Sequence, residues 1–304
     1  MKVHGRSAVS ACALALLSAC GGGGGSPPSA PVVTSTFTTW RTDLANKTVR
    51  VDGEGQQVSY TWNNRITSVS PTVDTSASGV FVFDASSTLT QLFLASGGTT
   101  TAFTTGQVGT LAADPDFVVA ENLSSRAIVS NPKSLAWDYQ SFGVWETGLD
   151  SNEGNYGAVS LGAPTAGTAI PGSGTATFTG KLAGSYVNAS GVGHSVLADL
   201  TVLADWNTTS LSLSTSNTRT STNGTTFVPS DGLNLSGNLQ YAAGTNGFTG
   251  TLTTGTTPSG TVLSGDSAGK FYGPNAEELG GTFFLRGSGV ETYSGAYGAK
   301  VTTP

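Results

Sequence analysis

Glu277 and Glu278 stand side by side in "GKFYGPNAEELGGTFFL", Gly269 to Leu285, in a chain where charged residues make up only 11%. Two neighbouring carboxylates can act as acid and base or share a metal ion. They can also open one capped helical turn. Asn275 is a good N-cap, Glu278 three residues on holds the capping-box position, and Glu277 is favourable near a positive helix end. Pro274 cannot continue a strand's hydrogen-bond ladder, and Gly280 and Gly281 stop the turn. The sequence therefore predicts a helical corner here and no catalyst. A second acidic group, Asp138, Glu146, Asp150 and Glu153, could supply the paired carboxyls of a glycosidase. Asp150 and Glu153, however, lie in the turn "DSNEGN", where carboxylates commonly cap backbone donors.

Other chemistry is thinly represented. Of two histidines, His4 lies near the N-terminus, so His194 in "GVGHSV" is the one imidazole for a triad, with no elbow motif beside it. As a haem ligand His194 competes only with eight tyrosines, since the sole methionine is the initiator. No catalytic residue, no metal site and no resident cofactor are expected, and haem is the one cofactor the residues leave open. A protein partner would use aromatic anchors, and Trp40, Trp62, Tyr156 and Tyr186 are the candidates. Each also suits a core.

The N-terminus gives the compartment. Lys2 and Arg6 precede an apolar run from Ala8 to Leu17, well short of the roughly 20 residues a spanning helix needs. "LSAC", Leu17 to Cys20, resembles a bacterial lipobox, so residues 1–19 are read as a signal peptide and Cys20 as the lipid anchor to a membrane. Two or three acyl chains hold firmly where one holds marginally. Gly21 occupies the position where aspartate would signal inner-membrane retention, which points to the outer membrane. Residues 20–35 form a Gly, Pro and Ser tether. Cys12 leaves with the signal, so the mature chain has no free thiol and no disulfide. The net charge of −6, with no cluster of Lys and Arg, excludes nucleic acid as a partner.

The elements that must position these residues are strands. In "LNLSGNLQY", Leu233, Leu235, Leu239 and Tyr241 share one face and Asn234, Ser236, Asn238 and Gln240 the other. Val196, Ala198, Leu200, Val202 and Ala204 make another dry face. Such alternation predicts an all-β chain of antiparallel strands with one face in a core. About eight such segments follow Trp137, which predicts an eight-stranded up-and-down β-barrel over residues 134–304. Its interior either holds a small ligand or is filled by side chains such as Phe178, Leu200 and Leu239. Residues 36–133 form a smaller β-rich domain, joined to the barrel through "ADPDFVVAENLSSRAIVSNPKS", read as a short helix or loop. A membrane-embedded barrel would show the same period, but it would gain little from a lipidated tether.

Several motifs carry a resemblance. "YQSFGVW", "GTATFTG", "LADWNTTSLSLS", "GFTGTLT", and above all "FYGPNAEELGG" followed by "GAYGAK" resemble the barrel domain of transferrin-binding-protein-B-like surface lipoproteins. The resemblance covers roughly the last 170 residues. It implies a handle-like domain before the barrel and a binding function without enzymatic activity. Relatives bind transferrin, factor H or haem, and full transferrin-binding proteins carry two lobes where this chain has room for one. The expectation is an outer-membrane, lipid-anchored lipoprotein facing the cell exterior, which captures a protein or a haem- or iron-related ligand. Its rivals are an adhesion or immune-evasion scaffold and, further off, an envelope carbohydrate-active enzyme.

Overall fold

Residues 31–302, which a computed structural model describes, are built almost wholly from extended strands. Cys20 and the signal peptide lie outside these residues. The first sheet begins with β1 (Ser35–Thr36), β2 (Thr48–Trp62), β3 (Ile66–Phe83), β4 (Leu89–Ser96) and β5 (Thr99–Phe103). It continues with β6 (Val108–Thr110), β7 (Phe117–Glu121), β8 (Ser125–Ser130), β9 (Gln140–Thr147) and β10 (Glu153–Gly162). Its path is β5-β4-β3-β2-β10-β9-β8-β7-β6, with β1 parallel to β2. Two antiparallel meanders thus join at β2 and β10, and the sheet curls into a nearly closed barrel that stays open between β5 and β6.

The second sheet comprises β11 (Thr175–Val187), β12 (Gly193–Asp205), β13 (Ser210–Ser221), the short β14 (Val228–Pro229) and β15 (Leu235–Tyr241). β16 (Gly247–Thr256), β17 (Val262–Tyr272), β18 (Glu278–Arg286) and β19 (Thr292–Thr302) complete it. β11 pairs with both β12 and β19, and β12 with β13, so eight strands close an antiparallel up-and-down barrel. The alternation is realised as expected. Phe178, Leu200 and Leu239 join Trp206, Tyr241, Phe248 and Phe271 in a continuous core that fills the interior. Apolar side chains point inward and the row Ser212, Ser214 and Ser216 of β13 outward, the reverse of a lipid-embedded barrel.

Three expectations change. β9 and β10 pair within the first sheet, so the change of sheet falls between Gly162 and Thr175 and not near Lys133. The first domain is accordingly no smaller than the barrel. The segment around Phe117 to Ser130 is a strand pair, β7 and β8, and not a helix or loop. Finally, "GPNAE" is a tight turn without helix, because Gly273 and Ala276 adopt φ of 91° and 59°, outside the right-handed helical region.

β9 shows how the sheets meet. Trp145 enters the first sheet's core, whereas Phe142 and Val144 face Ala183, Leu197 and Ala296 on the barrel's outer surface. Around this apolar seam, buried Asp114 accepts from Arg219 Nη2 at 2.9 Å and Lys181 Nζ at 3.3 Å.

Candidate functional site

A cleft of about 770 Å³ lies where turns of the two sheets touch. Ile66 N–H donates to the Gly191 carbonyl at 2.8 Å, and Trp62 N–H to that of Asn152 at 2.6 Å, which ties the β2–β3, β9–β10 and β11–β12 turns together. Tyr60, Trp62, Arg126, Glu146, Tyr156 and His194 line it. Trp62 is 39% exposed at the rim. Tyr60 and Tyr156 pack with ring centroids 4.7 Å apart, and the Tyr60 hydroxyl donates to the Thr147 carbonyl at 2.6 Å and lies 3.2 Å from Glu146 Oε1. Burial raises the Glu146 carboxyl, against the opposing pull of the two tyrosines and Arg126. Burial and the Glu146 charge push both phenols up, so they stay hydroxyl donors. Burial lowers His194, leaving a neutral imidazole at pH 7 whose Nε2 sits 3.4 Å from Asn188 Nδ2.

The structure thus gathers Trp62, Tyr156 and His194 into one cleft and sends the other candidates elsewhere. Tyr186 stacks 5.7 Å from His194 but is buried in the barrel, its hydroxyl donating to Glu291 Oε1 at 2.7 Å. Trp40 is only 9% exposed and belongs to the first sheet's core, its Nε1 donating to the Gln140 carbonyl at 2.8 Å. Three of the four aromatic candidates are therefore largely buried, because each sits on a strand or segment whose inward face it fills. A G-x-S-x-G pentapeptide, Gly265 to Gly269, runs through the middle of β17. Its Ser267 is buried against the Thr282 carbonyl and the Tyr297 hydroxyl, and a nucleophile elbow requires a strand-to-helix turn. Among the described residues no group of three His, Cys, Asp or Glu is placed to hold a metal ion.

Glu277 and Glu278 prove to have separate tasks. Glu277 reaches back within the turn, its carboxylate accepting from Asn275 N–H at 2.8 Å and Asn275 Nδ2 at 2.9 Å. Glu278 opens β18, is fully buried, and accepts the backbone N–H groups of Asp138 at 2.6 Å and Tyr139 at 2.9 Å. It clamps the barrel to the start of β9. Beside it Asp138 takes a two-pronged contact from Arg41, at 2.5 and 2.7 Å, and Lys300 Nζ at 2.6 Å. Burial pushes Glu278 up to about 7, opposed by the two N–H donors and Lys300. Glu291 is a second carboxylate that sequence patterns do not flag. Burial would raise it, but hydroxyls of Thr261, Ser259, Tyr186 and Thr257 hold it below the usual range.

Residues 170–301 match the family model described as the C-lobe and N-lobe beta barrels of Tf-binding protein B. The barrel is thus similar to the barrels of transferrin-binding protein B. Solved structures of similar fold include isotype 1 transferrin-binding protein B from serogroup B Neisseria meningitidis, at 18% identity and a TM-score of 0.49. That match covers 82% of this chain, which spans 44% of the length of the Neisseria protein. A transferrin-binding protein B mutant from Haemophilus parasuis Hp5 matches at 13% identity and a TM-score of 0.45, covering 84% of this chain and 76% of its own. No curated protein matches by sequence. In this barrel, the two sharpest motifs supply the clamp to the first sheet. "FYGPNAEELGG" contributes Glu278, and "GAYGAK" ends on Lys300.

Proposed function

We propose that the protein is a lipid-anchored lipoprotein of the outer membrane, carried on the Cys20 anchor and the 20–35 tether, which captures a protein ligand at the cell exterior. The observation that carries this reading is the exposed apolar rim of the inter-sheet cleft. Trp62, Leu123 (92% exposed) and Val192 (41% exposed) stand on turns bordering the cleft, bracketed to it by the Leu149 N–H bond to Ser124 and the Ile66 bond to Gly191. Large apolar side chains gathered around a polar cleft are what a protein partner's contact patch needs. The filled barrel interior supports binding by turns and rim over binding within the lumen. Transferrin, named in the solved relatives of similar fold, is the first ligand to test.

The test has two arms. Cys20→Ser is expected to move the protein from the membrane fraction to the soluble fraction and to abolish antibody labelling of intact cells. Continued association after detergent-free salt washing would sink the anchor. In the second arm, immobilised mature protein and a Trp62→Ala, Leu123→Asp, Val192→Asp variant are compared for transferrin capture by surface plasmon resonance. Loss in the variant supports the rim. A Soret shift on haem titration that disappears in His194→Ala would assign the cleft to haem instead.

A further inference from the structure

A second concavity of similar size lies away from that cleft, at the end of the first sheet. A cavity of about 780 Å³ is walled by the segment holding Trp40 and Leu44, the β3–β4 turn, β6, and the segment holding Lys133 and Trp137. Its size falls within the roughly 300–1,000 Å³ of small-molecule sites. Trp40 packs edge-on to Phe81, ring centroids 5.2 Å apart, and lies 6.3 Å from Phe83. Leu44, Phe83, Leu89 and Val108 lean on the same core yet stay half-buried, because one side of each faces the cavity. Apolar surface left in a concave site is worth about 25 cal/mol per Å² to whatever covers it.

The rim fixes the sign of the occupant. Arg41 and Lys300 converge on Asp138, with Lys300 also 3.9 Å from Glu278 Oε1, and the Asp43 carboxylate accepts the Ala45 N–H. Lys133 is exposed on the rim and makes no ion pair with any described carboxylate. The lining contains no His, Tyr, Cys or Met, so a haem iron would find no side-chain ligand there. We propose that this cavity binds a free, single-chain amphiphilic carboxylate, with its acyl chain against Trp40, Phe81, Phe83 and Leu89 and its head group at Lys133. The aromatic wall supplies contact on several sides of a flexible chain, and the unpaired ammonium selects the charged head.

The experiment uses the mature full-length chain carrying Cys20→Ser, so that its own lipid does not compete. Calorimetric titration with dodecanoate is expected to show one saturable site. Leu89→Trp, which fills the cavity mouth, is expected to weaken binding about tenfold or more while the thermal melt stays cooperative. Val108→Trp fills from the opposite wall and serves if the first variant does not fold. Lys133→Glu is expected to weaken dodecanoate about tenfold and leave dodecanol unchanged. Absence of saturable binding, or binding indifferent to both filling variants, overturns the proposal. So does equal loss for dodecanoate and dodecanol in Lys133→Glu, which would remove the head-group contact. Displacement of dodecanoate by monomeric dihexanoyl phosphatidylcholine would place a phospholipid, and not a free carboxylate, in the cavity and overturn the stated occupant.

Discussion

Glu278 and Glu291 are both buried carboxylates, yet their surroundings drive their protonation in opposite directions. Glu278, pushed up to about 7 by burial, holds its proton more tightly folded than unfolded. Its contribution to stability is full below the ordinary carboxyl value of 4.5 and is lost as pH rises through 7. Glu291, held low by its four hydroxyl donors, contributes above 4.5 and loses that contribution as pH falls through its depressed folded value. Urea unfolding across pH is therefore expected to show the wild-type advantage over Glu278→Gln shrinking from pH 4.5 to 7, and that over Glu291→Gln shrinking on acidification. Parallel curves for both variants would refute the assignment. Glu278→Ala, which strands the Asp138 and Tyr139 N–H groups, is expected to cost about 1–3 kcal/mol per stranded group. The sequence pattern around Glu278 matched a capping box because spacing alone cannot reveal φ. Ala276 takes a left-handed turn, φ 59°, just ahead of Glu278, whose partner Tyr139 lies 139 residues away.

At the scale of elements, period-two alternation made the strands of the barrel legible, down to which face of β12 and β15 would be dry. Sheet membership was not legible. β9 and β10 read as strands like the barrel segments, but what assigns them to the first sheet is the pairing of β10 with β2, far away in sequence. β9 is also buried on both faces, so its inward and outward residues are equally apolar or small. Two glycines mark places where strands and side chains approach closely. A methyl group on Gly180 of β11 would lie 2.0 Å from the Gly298 carbonyl oxygen of β19, and one on Gly157 would fall on the Trp145 indole. Gly180→Ala is expected to lower stability by about 1–3 kcal/mol through overpacking at the barrel's closing pair, read by thermal melting. An unchanged melt would mean that β11 and β19 separate more easily than their register suggests.

Across the whole molecule, two sheets of opposite character are locked into one body by an apolar seam and two charged clusters. The barrel is closed and filled. The first sheet is open and retains a cavity of about 780 Å³, which no residue pattern could announce because its walls come from segments far apart in sequence. The seam residue Asp114 links the sheets through Lys181 and Arg219, so Asp114→Ala is expected to raise hydrogen exchange along β9 without affecting β15 and β16. Equal protection in both regions would show that the apolar contacts alone suffice. The position of Glu278 has a further consequence during synthesis. A nascent chain emerges N-terminus first, and the backbone donor at Tyr139 must wait for an acceptor 139 residues downstream. Lys300, later still, completes the same junction. The first sheet is therefore made before the group that fastens it, and a chain stalled short of residue 278 would carry an unlatched edge.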